Sequence, residues 1–140
     1  MVAGPLFLYP FIGGPDMWKE YNPNPCGRRV GDCSIRALTK ALDVDGETAY
    51  RMACSNGIEM CDMPSSDSVW GSLLRQRGWY RFGIPNYCPD CYTVAEFAHD
   101  HPEGTYVVGC GGHVVTIRDG DIYDTYDSSG LIAIYYWMKP

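Results

Sequence analysis

The chain has 140 residues, 46% hydrophobic and 14% aromatic, with 11 Lys and Arg against 17 Asp and Glu for a net charge of -6. That length and apolar content belong to one core-forming domain and exclude a disordered segment. The negative balance argues against nucleic acid as a partner, because polyanion binding rests on cationic neutralisation of phosphates and Arg28-Arg29 is too short a patch to reverse it.

Residues 1–17 form an apolar extension containing Gly and Pro, expected as an ordered strap, and residues 18–140 form the single domain. The extension lacks the positive start and unbroken apolar run of a secretory signal, and no apolar stretch is long enough to span a bilayer. A cytoplasmic protein without a membrane partner is therefore expected. Seven cysteines, an odd number without a signal, point the same way to a reducing compartment. Gly13-Gly14 is followed by Pro15, which hinders attack on the bond after it.

Apolar positions 35, 38 and 42 recur at helical spacing behind Gly31-Asp32, so a helix starts at Cys33 and runs to Leu42. A second helix spans 47–56 and is expected to stop at Asn56-Gly57, a left-handed terminator. Residues 66–77 form a third, with Val69, Leu73 and Leu74 on one face and Gly78 as its end. Thr93-Val94-Ala95-Glu96 has the capping-box pattern and opens a fourth. Residues 105–109, 113–118, 121–126 and 131–137 then alternate as antiparallel strands. Helices ahead of an antiparallel sheet make the fold class α+β.

Cys33 and His113 carry the chemistry. A thiol at a helix start lies beside unpaired backbone N–H groups and the positive end of the dipole, which lower its pKa and can also serve an oxyanion. His113 follows Gly111-Gly112 and opens a strand, and Asp119-Gly120 is a strong signal for a tight hairpin to the next strand. With a two-residue loop, 118 pairs with 121 and 115 with 124, so Asp124 shares a face with His113 as its diagonal neighbour. A three-residue loop over 119–121 would instead pair His113 with Asp127. Either acid would orient an imidazole that serves as base to the thiol.

The order Cys at a helix start, His at a strand start and an acid on the next strand resembles the papain-like cysteine peptidase superfamily. Asn22-Pro23-Asn24-Pro25, Gly31-Asp32-Cys33-Ser34-Ile35-Arg36-Ala37-Leu38, Gly112-His113-Val114-Val115 and Tyr123-Asp124-Thr125-Tyr126-Asp127 are similar to small, uncharacterised papain-like proteins of Clostridia-type bacteria and their phages. The resemblance implies a cysteine hydrolase of proteins or peptides that needs no cofactor. Where such peptidases carry an oxyanion-hole Gln upstream of the nucleophile, this chain has Gly27; Asn24, or else Asn22, takes that duty in the expected site. Two alternatives stay open. One is an inactive binding protein on the same scaffold, such as a phage factor acting on a host defence protein. The other is an acyltransferase or transglutaminase-like enzyme with the same triad.

Three further features have bland readings. Cys88-Pro89-Asp90-Cys91 has the spacing of half a zinc site, but Cys54 and Cys61 do not complete it at a ligand spacing, so ordinary thiols and no metal are expected. His99 and His101 point to different sides of a helix and are expected to be solvated. Tyr135-Tyr136-Trp137 is expected as sheet core, with an aromatic substrate wall as the minor alternative.

Overall fold

A computed structural model describes residues 17–140, and the expected strap and the Gly13-Gly14 bond lie outside those residues. Chain order is β1 (Trp18–Glu20), α1 (Cys33–Leu42), α2 (Gly46–Met60), α3 (Asp67–Gln76), β2 (Tyr80–Gly83), α4 (Val94–Asp100), β3 (Thr105–Gly109), β4 (Val114–Arg118), β5 (Asp121–Asp124) and β6 (Tyr135–Met138). The fold is α+β, with four helices on a six-stranded sheet of order β1-β5-β4-β3-β6-β2. No helix among the described residues is long and apolar enough to cross a membrane.

Alternation along the strands divides the core in two. Val107, Val114, Tyr135 and Trp137 join α1, α2 and α3 through Leu38, Ala49, Ala53, Trp70 and Leu74. Val108, Val115, Ile117 and Ile122 face the opposite way, onto Val94, Phe97 and Ala98 of α4. Each fully buried aliphatic or aromatic side chain contributes roughly 1.5–3 kcal/mol relative to exposure. The two layers hold the middle of the sheet rigid, and both site elements border it: α1 packs on β4, where the Thr116 hydroxyl donates to the Ala37 carbonyl at 2.7 Å.

Several sequence expectations are corrected. The sheet is mixed rather than antiparallel, since β1 runs parallel to β5, and the short β1 and β2 were not foreseen. Helix α2 does not stop at Gly57 but continues to Met60 and ends on Cys61 in the left-handed region. Gly57 is there for space instead: a Cβ on it would lie 2.7 Å from the Asp62 carbonyl oxygen, where the chain turns back. His101 is not solvated; its ring stacks on Phe97 at 3.9 Å between centroids, and its Nδ1 bonds the Phe97 carbonyl at 2.8 Å.

Cys88 and Cys91 are not a pair of thiols but a disulfide with Cα atoms 4.7 Å apart, so in this form neither offers a thiolate to a metal. Among the described residues no group of three or more His, Cys, Asp or Glu is arranged to hold a metal ion.

Candidate active site

Helix α1 begins at Cys33 because Asp32, its N-cap, leaves helical geometry; the Asp32 side chain makes no cap hydrogen bond. It turns inward instead. Its carboxylate accepts from Arg36 Nη1 at 2.9 Å, the Tyr50 hydroxyl at 2.7 Å and Asn24 Nδ2 at 3.2 Å. The first-turn N–H groups of α1 are thereby left without a side-chain cap at the point where the thiol emerges.

The β4–β5 hairpin fixes the other half of the site. Its register pairs Arg118 with Asp121, Ile117 with Ile122 and Thr116 with Tyr123, which requires the two-residue loop. Asp119 and Gly120 take φ of 51° and 82°, the double positive φ of a type I′ turn. Asp124 then meets His113, with 2.7 Å between Oδ2 and Nε2. Asp127 does not reach the imidazole; its carboxylate accepts the Ser129 N–H at 3.1 Å as a turn residue. Because Nε2 is engaged by Asp124, Nδ1 is the ring nitrogen left to face Cys33.

Electrostatics favour an ion pair. Burial acts to raise the Cys33 thiol, but hydrogen bonding to His113 and the Val114 N–H, with the charges of His113 and Arg36, brings it below its ordinary value. Burial opposes charge on His113 as well, yet bonding and charge from Asp124 and Cys33 push its pKa up to about 9. Asp124 is fully buried, which alone would raise it; the bond and charge of His113 and the Thr125 N–H at 2.8 Å hold it below the usual carboxylate value. The buried Ser128 hydroxyl also lies beside Asp124 and favours its charge, although it meets no partner at ordinary hydrogen-bond geometry. By contrast, burial and the neighbouring Asp124 push the Cys110 thiol up to about 12, so proximity alone does not activate a cysteine.

Arg36 is the residue that sequence reasoning missed. It is 5% exposed, and its guanidinium joins the two buried acids: Nη1 to Asp32 at 2.9 Å, Nη2 to Asp124 Oδ1 at 3.1 Å and Nε to the same oxygen at 3.2 Å. The Asp32–Arg36 spacing of four residues on a helix, within an otherwise apolar stretch, is the signal that could have exposed it. The backbone of Asp124 is clamped too, its carbonyl accepting the Trp18 indole N–H at 3.1 Å and the Tyr21 N–H at 2.9 Å.

Asn24 does not perform the role expected of it. Its Oδ1 accepts the N–H groups of Cys26 and Arg28 at 2.9 and 3.1 Å, and its Nδ2 is committed to Asp32. Asn22 is likewise occupied, donating to the carbonyls of Gly27 and Arg28. The asparagines build the approach to α1, and the donors remaining beside the thiol are backbone N–H groups.

Cys33 and His113 open into a cavity of about 490 Å³ that also reaches Asp67, Trp70, Arg81 and Tyr135. Tyr135 is therefore both core and wall.

No family model matches the chain, and neither the curated proteins nor the solved structures include one with significant similarity to it.

Proposed function

We propose that this protein is a papain-like, cysteine-dependent hydrolase of protein or peptide amide bonds. The observation that carries the reading is the buried Asp124 bonded at 2.7 Å to the His113 ring that faces a thiol of lowered pKa at a helix start. In the proposed cycle the Cys33 thiolate attacks the scissile carbonyl and first-turn N–H groups of α1 stabilise the oxyanion. The His113 imidazolium gives its Nδ1 proton to the departing amine, leaving a thioester. Water then loses a proton to His113 as it attacks the thioester, and collapse of the adduct releases the acid and expels the Cys33 thiolate, which restores the thiolate–imidazolium pair. Asp124 orients the ring throughout and favours its charged form. The chemistry draws on no cofactor.

One observation favours a second reading, a binding protein on the same scaffold: Asn24 donates to Asp32, and neither Asn24 nor Asn22 lines the cavity at Cys33, so neither amide is placed as the oxyanion donor. Reactivity separates the two. Limited alkylation with iodoacetamide near neutral pH, followed by peptide mass spectrometry, is expected to modify Cys33 before the exposed Cys26, Cys54 and Cys61. Modification of those three with Cys33 left intact would remove the basis for the hydrolase.

The pH profile of turnover has a defined shape under this reading. Activity requires the thiolate and the imidazolium together, so it rises from acid as Cys33 ionises, below the ordinary thiol value, and falls as pH climbs through about 9 and His113 loses its proton. Initial rates on a fluorogenic peptide from acid to alkaline pH check both limbs. An optimum only above pH 9, where an ordinary thiol ionises, would mean that the pair is not formed.

A further inference from the structure

We propose that the groove leading from Cys33 recognises a negatively charged stretch of polypeptide, so that the substrates of this site, on the hydrolase reading above, are acidic peptides. The cavity at Cys33 shares Asp67, Trp70, Arg81 and Tyr135 with a second cavity of about 280 Å³, which continues past Arg75 and Trp137. Together they make one path over aromatic rings. Two exposed arginines lie along it, each laid on a ring: Arg81 is 4.0 Å from the Tyr135 centroid and Arg75 is 5.1 Å from that of Trp137.

Among the described residues Arg29, Arg36, Arg51 and Arg118 form ion pairs and the other four arginines do not; of those four, only Arg75 and Arg81 line this path. In a chain of net charge -6, one unpaired guanidinium in the cavity of the reactive thiol and a second in the cavity that continues it are a local reversal of sign. Stacking holds the planar groups in place while leaving their N–H edges open, which suits bidentate contact with carboxylates. An extended peptide advances about 3.3 Å per residue and alternates its faces, so acidic side chains two residues apart face the same wall of the path.

Asp67 is the opposing charge on the path. Its Oδ1 accepts the Trp70 indole N–H at 3.2 Å, and its charge lowers the preference without cancelling two arginines. Replacing it by Asn keeps an acceptor for Trp70 and removes the repulsion.

The test uses Cys33→Ser, which cannot acylate, and two rhodamine-labelled peptides of Ala and Gly that differ only in carrying paired Glu or paired Lys. Fluorescence anisotropy at low salt is expected to give at least about tenfold tighter binding of the Glu peptide, since a charged hydrogen bond contributes on the order of one decade or more in affinity. Arg81→Gln and Arg75→Gln each weaken it several-fold, and Asp67→Asn tightens it, a gain that damage to the fold would not produce. Equal binding of the two peptides, or a Glu preference that survives Arg75→Gln with Arg81→Gln, overturns the proposal. Failure of the hydrolase reading looks different: Cys33 of the unmodified protein resists iodoacetamide while the charge preference persists, and the groove then belongs to a binding protein for acidic segments.

Discussion

Asp124→Asn is expected to slow acylation of Cys33 by a peptidyl probe, by less than the roughly 10⁴ lost when the carboxylate of a serine triad becomes an amide, because Cys-His triads can work with an amide at this place. The cause is specific to the geometry. The 2.7 Å contact to Nε2 fixes which nitrogen carries the proton and keeps Nδ1 facing the thiol, and the carboxylate charge supports the imidazolium. An amide supplies no charge and can present its NH₂ group to Nε2, which favours the wrong tautomer. Asp127→Asn changes only a turn bond to Ser129, so its acylation rate should stay near that of the parent protein. Probe-labelling kinetics on both variants, with circular dichroism to verify folding, decide the matter. A slow Asp127→Asn beside a fast Asp124→Asn would mean that the bonded acid is not the one that orients the base.

Arg36→Met is expected to cost about 3–5 kcal/mol of stability, because it leaves two buried carboxylates without their shared cation. Asp32 retains Tyr50 and Asn24, and Asp124 retains His113, so the fold should persist at neutral pH. The pH dependence has a definite sign. A carboxyl whose folded pKa is depressed contributes stability that is present above its unfolded value and is lost as pH falls through the folded one. Asp124 is such a group, and loss of the Arg36 cation 3.1 Å from its Oδ1 removes an opposite charge that favours the carboxylate, so acid unfolding should begin at higher pH than in the parent. Arg36→Lys keeps the charge but not the fork that reaches both acids, and should fall between the two. Urea titrations of the three proteins at neutral and acid pH measure these differences; a loss under about 1 kcal/mol for Arg36→Met would show that the guanidinium is not what holds the two acids.

Local rules made much of this site legible. The apolar spacing behind Asp32 located the start of α1, the Thr93–Glu96 capping box located α4, and the Asp119-Gly120 dipeptide carried the register that aligns Asp124 with His113. What stayed hidden depends on partners far away in the chain. Strands of three or four residues, such as β1 and β2, have too few positions to show a period, and β1 exists only because β5 receives it. Gly57 resembles a helix stop until the returning Asp62 carbonyl is seen against it. Asn24 has the right chemistry for an oxyanion donor, but Asp32 claims its amide. Arg36 is silent in the sequence because a charged residue on a helix is ordinarily solvated, and only the meeting of Asp32 with Asp124 makes its burial tolerable.

The indole of Trp18 and the carbonyl of Asp124, 106 residues apart in sequence, are joined across β1 and β5. The acid therefore reaches its final position only when the two ends of the described chain have met. During synthesis Cys33 emerges well before His113 and Asp124, and until they arrive it is a thiol of ordinary reactivity. Contacts of such long sequence separation are slow to close. On the hydrolase reading the nucleophile is thus harmless to the growing polypeptide and its neighbours, and its reactivity becomes a property that only the finished molecule possesses.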